Sequence, residues 1–95
     1  MSAYMIISVT PEDEEGFAEY ERRTLAVVER FGGRPVARDT ASFALEGAVA
    51  PGIAVILEFP SKEHVRAFYE SEEYAPLKAF RHAIARAGAL VMDVA

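Results

Sequence analysis

Apolar and polar positions follow two different periods along this chain, and the switches between them mark its elements. Residues 3–9 carry β-branched and aromatic side chains and read as a strand ending at Thr10-Pro11. A helical period follows, with Phe17, Tyr20, Thr24, Val27, Val28 and Phe31 on one stripe roughly 100° wide. Thr10 suits the cap of this helix and Pro11 its first position, where a missing N–H leaves nothing unpaired; Asp13 has capping-box spacing. Gly32-Gly33 ends it, because glycine readily takes the left-handed cap. Two short strands, 34–38 and 42–46, come next, separated by the turn-like Asp39-Thr40-Ala41, and then a loop over 47–52 containing Pro51. The run IAVILEF, 53–59, is the strongest strand pattern. Helical spacing returns over 61–70 and again over 75–87, and 89–94 makes a last strand.

The order β-α-β-β-α-β predicts one α+β domain over residues 1–95: a ferredoxin-like sandwich with an antiparallel sheet and its helices on one face. The second helix is predicted to break. Pro60-Ser61 starts it, but Pro76 inside a continuous helix would cost about 3 kcal/mol, so the interruption falls between Glu70 and Ala75. The strands are apolar on both sides. Ile53, Val55, Leu57 and Phe59 face one way and Ala54 and Ile56 the other; Met5, Ile7 and Val9 oppose Tyr4 and Ile6; Leu90, Met92 and Val94 oppose Ala89 and Val91. A sheet roofed on one side only is usually polar on the other. The simplest cover for the second face is the same face of another copy, so the pattern predicts a homodimer through the sheet.

Composition narrows the function. A net charge of -5, with six acids concentrated between Glu12 and Glu21, opposes binding to nucleic acid and to anionic membrane. The absence of Cys removes disulfides, thiol nucleophiles and cysteine-held metals, and fits a cytoplasmic protein. No basic leader opens the chain, and the longest apolar run, 48–57, is too short to span a bilayer. His64 and His82 lie on different helical segments without a spaced carboxylate, so no metal site is expected; no cofactor is expected either.

The polar residues that break apolar patterns are the candidates for chemistry. Arg81 borders the stripe of its helix, where it either covers the core edge, pairs with Glu73 or Glu58, or forks onto a substrate carboxylate or enolate. Glu58 interrupts an apolar row and would serve as a base if enclosed; Arg81, Arg66 or Arg34 is expected beside it. His64 borders the Val65/Phe68 stripe, a position facing a pocket mouth or solvent. Tyr69 borders the same stripe, and Tyr74 lies in the broken segment, where a phenol either bonds a ligand or locks the bend. Tyr20 reads as core with its hydroxyl at the edge, and Ser61 as a helix cap rather than a nucleophile, since no nucleophile elbow surrounds it.

Several of these pieces combine in a known way. Glu46-Gly47, a hydrophobic strand ending in Glu58-Phe59-Pro60-Ser61, then Phe68-Tyr69, Ser71, Tyr74 and Arg81, together with Tyr20 and Gly32-Gly33-Arg34 upstream, resemble the bacterial family called domain of unknown function 1330. The chain departs from that pattern at Ala48-Val49, where an aromatic is usual, and at His64, where a small residue is. The resemblance implies the dimeric α/β-barrel superfamily, whose members include cofactor-independent monooxygenases, small-ring isomerases and haem-binding enzymes. The expectation is a small-molecule-handling homodimer of oxygenase, isomerase or lyase type, with Arg81, Tyr69 and Tyr74 binding an anionic organic substrate and His64 and Glu58 moving protons. The alternative is a non-catalytic binding or structural homodimer whose polar residues satisfy one another.

Overall fold

The computed structural model describes residues 2–48 and 52–94. Four strands form one antiparallel sheet in the order β2-β3-β1-β4: β1 Ala3–Pro11, β2 Arg34–Ser42, β3 Gly52–Phe59 and β4 Ala85–Asp93. The helices are α1 (Glu14–Arg30), α2 (Lys62–Tyr69) and α3 (Ala75–Ile84). This is the ferredoxin-like arrangement the sequence predicts, including the broken second helix.

The break has a local cause. Ser61 caps α2, its side chain accepting from the His64 N–H, and α3 carries a proline in its first two positions. Between them Ser71 joins the two helices: its hydroxyl donates to the Phe68 carbonyl at 2.7 Å and accepts from the Tyr74 N–H at 3.1 Å. Ser71 thus replaces backbone bonds that a continuous helix would have made.

Three boundaries differ from expectation. Thr10 and Pro11 remain in β1, paired with Arg86 and Ala85 of β4, and α1 is capped instead by Asp13, which accepts from the Gly16 N–H at 3.0 Å. Residues 85–88 extend β4 rather than α3, because β1 offers them its open edge; Glu12 and Asp13 further tie to the Ile84 carbonyl. The two predicted strands at 34–38 and 42–46 are one strand to Ser42, with register shifts between Pro35 and Ala37 and between Asp39 and Ser42. Glu46-Gly47 lies beyond it in a bend, and the part of the predicted loop around Pro51 lies outside the described residues.

All three helices pack on one face of the sheet. Tyr74, Phe59, Phe68, Val9 and Val28 are the largest fully buried side chains there. Ring contacts link them, with Phe68 centred 4.5 Å from Tyr74 and 5.6 Å from Phe59. The α1 stripe buries Phe17, Tyr20, Thr24, Val27 and Val28 as its period requires. Gly32, at φ 84°, takes the left-handed turn after α1; Gly33 passes so close to Phe59 and Val28 that a Cβ there would stand 2.6 Å from one ring carbon. The register sets Ile6 opposite both Ile56 and Leu90 on the other face, with Tyr4 opposite Met92 in the next row. Among the described residues no element covers this row, and Leu90 and Met92 are 58% and 47% exposed. Among the described residues no helix is long and apolar enough to cross a membrane.

Candidate functional site

Between the sheet and its helices lies a cavity of about 810 Å³. Alternation along the strands supplies its floor: Ile7 of β1, Val55 and Leu57 of β3, Ala89 and Val91 of β4. The core stripe of α1 and the facing sides of α2 and α3 supply its walls. Exposed Leu25 and Tyr69 are among the lining residues, so the cavity reaches solvent past them.

Charged side chains, among them Glu21, Arg38 and Arg66, also line the cavity, and one polar cluster lies in its buried part. The hydroxyls of Tyr20 on α1 and Tyr74, at the start of α3, are hydrogen-bonded at 2.6 Å within the buried interior. Burial pushes the Tyr20 phenol well above its ordinary value, and the neighbouring Tyr74 adds to the shift; Arg81 opposes it only in part. Tyr20 is therefore a neutral donor or acceptor at any physiological pH.

Arg81 of α3 stands half-buried beside these phenols. Burial works against its charge, but the hydroxyls of Tyr74, Tyr20 and Tyr69 outweigh that effect, and its pKa is raised overall. Its expected carboxylate partners are engaged elsewhere. Glu73 pairs with Arg30 at 3.1 Å, and Glu58 pairs with Arg34. Among the described residues Arg81 has no carboxylate partner; its guanidinium lies beside the Tyr74 hydroxyl and makes a long 3.4 Å contact to His82 Nε2. By contrast Arg38, which also lines the cavity, is held by two bonds to Glu21 at 3.0 and 2.7 Å; these bonds raise its pKa. Lys78 rests 4.2 Å above the Tyr69 ring. A cation free to accept an anion beside neutral phenols can stabilise a carboxylate, enolate or phenolate.

The expected site residues divide into two places. Arg81, Tyr69 and Tyr74 all line the cavity. His64 does not: it is exposed, with Nδ1 2.6 Å from the hydroxyl of Ser61, the residue that caps its helix. That Ser–His contact has no third group to orient the imidazole among its hydrogen bonds and lies outside the cavity, so it is a cap and not a nucleophile pair. Glu58 is also outside, on the open face of the sheet, where the Ser2 hydroxyl foremost and Arg34 next hold its carboxyl below the usual carboxylate range. Sequence reasoning assigned Tyr20 to the core and gave Thr24 no role, yet both line the cavity. The signal was their polarity within an otherwise apolar helical stripe. Among the described residues no group of three His, Asp or Glu side chains is placed to hold a metal ion.

A four-stranded antiparallel sheet roofed on one face, with a cavity lined by an arginine that has no carboxylate partner among the described residues, defines a ferredoxin-like α+β protein. The chain belongs to the family described as Domain of unknown function (DUF1330), whose profile matches residues 2–95. Its fold is similar to that of a protein of unknown function from Rhodopseudomonas palustris (TM-score 0.82, 20% identity, 99% of this chain and 82% of that one). It is similar also to SnoaB, a cofactor-independent oxygenase from Streptomyces nogalater (TM-score 0.72, 14% identity, 99% and 93%). A third similar fold is an ethyl tert-butyl ether (EthD) family protein from Bacillus halodurans (TM-score 0.65, 14% identity, 100% and 99%). Among curated proteins none matches the chain.

Proposed function

We propose that this chain forms a cytoplasmic homodimer that binds a small anionic organic molecule in the cavity under its helices, and acts on it as a cofactor-independent oxygenase. The observation that carries the reading is Arg81: half-buried, lining the cavity, and without a carboxylate partner among the described residues. A partly desolvated cation left unpaired is costly unless a ligand anion completes it. Tyr74 and Tyr69 flank it as binding groups, and Tyr20 holds the Tyr74 hydroxyl in place. An oxygenase without a cofactor needs an electron-rich substrate anion that itself donates electrons to oxygen, and a cation beside neutral phenols favours such an anion. The oxygenase SnoaB shares the fold, which supports this reading over the isomerase and lyase types. His64 and Glu58 receive no step in it, because neither lines the cavity. The homodimer rests on the uncovered apolar row of the sheet and the cytoplasm on the absence of Cys.

The test is a thermal-shift screen of aromatic carboxylates and phenols, followed by oxygen-electrode assays of those that bind. Wild-type protein is expected to be stabilised by a subset of these anions, and Arg81→Ala to lose that response while its unliganded melting stays cooperative. An equal response in Arg81→Ala takes the anion site away from Arg81. Ligands that bind through Arg81 but never support oxygen uptake leave a binding protein and not an oxygenase.

A further inference from the structure

The cavity reverses the charge of the chain around it. The chain has a net charge of -5, yet five of its ten basic side chains line the cavity: Arg22, Arg38, Lys62, Arg66 and Arg81. Of its fifteen acids only Glu21 and Glu70 do so. A concave surface of one sign concentrates ligands of the other. Three of the five cations already have an acid nearby: Arg22 lies 3.7 Å from Glu19, Arg38 2.7 Å from Glu21 and Lys62 3.4 Å from Asp93. Arg66 shares with Arg81 the lack of a carboxylate partner among the described residues. Its guanidinium makes no hydrogen bond or ion pair there at all. Glu63 and Glu70 stand three residues before it and four after it, the spacings at which charges pair on a helix, and neither bonds it.

The fold brings the two unpartnered arginines to one side of the sheet. Arg66 is on α2 and Arg81 on α3, and both helices pack against β4, an edge strand. Val91 of β4 lines the cavity and is 38% exposed, so the cavity also opens at this edge. Arg81 is half-buried and Arg66 exposed, which sets one cation inside and the other at the mouth. The floor they share is apolar, with Val55, Leu57 and Ala89. A long side chain free of bonds can fold onto a ligand that enters past it. We infer that Arg66 binds a second anionic group of the ligand, so that the preferred ligand is a dianion with an apolar body, such as a ring-bearing dicarboxylate, with its inner charge on Arg81 and its outer charge on Arg66. This inference rests on the anion-binding role given above to Arg81.

The experiment uses naphthalene-2-carboxylate and the 1,4-, 2,6- and 2,7-dicarboxylates of naphthalene as probes. Calorimetry in dilute buffer gives their dissociation constants for the full-length wild type, Arg66→Gln, Arg66→Lys, Arg22→Gln and Arg81→Ala. Wild type is expected to bind at least one dicarboxylate about two- to fivefold tighter than the monocarboxylate, the range of one ion pair in contact with solvent. Added salt should shrink that preference. Arg66→Gln, which keeps the length and loses the charge, is expected to bring the ratio to about one, and Arg66→Lys to restore part of it. Arg22→Gln, which removes a cation already beside Glu19, should leave the ratio as it is. Retention of the ratio in Arg66→Gln, an equal fall in Arg22→Gln, or binding by wild type with no preference for any dicarboxylate overturns the inference while the anion site survives. Failure of wild type to bind any of the probes, or equal binding of them by Arg81→Ala, overturns the anion site and this inference with it.

Discussion

The bond between the Tyr20 and Tyr74 hydroxyls is the feature whose energy can be worked out most directly. The two oxygens are 2.6 Å apart in the buried interior, joined across 54 residues of sequence. Tyr74→Phe removes one partner and keeps the ring packing against Phe68, so the loss is polar and not a cavity. The bond itself contributes about 1 kcal/mol, and leaving the Tyr20 hydroxyl buried and unpaired brings the cost to about 1–3 kcal/mol. Tyr20→Phe is expected to cost less, because the surviving Tyr74 hydroxyl still lies beside the Arg81 guanidinium. Removing both hydroxyls leaves neither stranded, so the double variant should lose less than the two single losses added together, by about 1–2 kcal/mol. For a domain of 95 residues, about 2 kcal/mol corresponds to a fall in Tm of about 8–16 °C for Tyr74→Phe. Urea unfolding of wild type, both single variants and the double variant, at one fixed protomer concentration, measures the cycle. An interaction energy below about 0.3 kcal/mol would refute the reasoning, since independent sites add to within that margin.

Two further outcomes follow from the same structure. Burial raises the Tyr20 phenol above its ordinary 10.0, so between the two values the native state keeps a proton that the unfolded chain releases. This stabilisation is complete below pH 10.0 and is lost as the pH rises past it; Tyr20→Phe should flatten the alkaline decline in unfolding free energy, and an identical slope in the variant would contradict the burial of that group. On the open sheet face, Leu90→Glu places a carboxylate in the row formed with Ile6 and Ile56, and light scattering should show a shift from twice the single-chain mass to the single-chain mass. A wild type already at the single-chain mass at micromolar concentration would dispose of the homodimer.

Arg81 illustrates why the site was only half legible beforehand. Its place beside an apolar stripe marked it as a residue to watch, but three outcomes fitted that place equally: a core-edge stem, a pair with Glu73 or Glu58, or a ligand fork. Only the fold shows that Arg30 takes Glu73 and Arg34 takes Glu58, so that the cation in the cavity is left without either. Glu58 and His64 show the converse. Both broke local patterns, yet one ends on the sheet face opposite the cavity and the other bonds its own cap serine.

What the residues determined by themselves are the features whose causes lie within a few positions along the chain. The α1 stripe, the Ser61 cap, the glycine stop at Gly32 and the interruption before Pro76 each follow from periodicity, a single side chain or the chemistry of one ring, and each stands where local physics puts it. The doubly apolar strands likewise imply a second face without cover, because side-chain direction in a strand alternates with no reference to the rest of the fold. Tertiary structure decided everything that depends on a partner far away in sequence. The start of β4 at Ala85 depends on the free edge of β1; the joining of Tyr20 to Tyr74 and the isolation of Arg81 depend on which helices meet over the sheet. Pairing of this kind is a competition among distant groups for the same bonds, and it is resolved only when packing has chosen which of them come within reach.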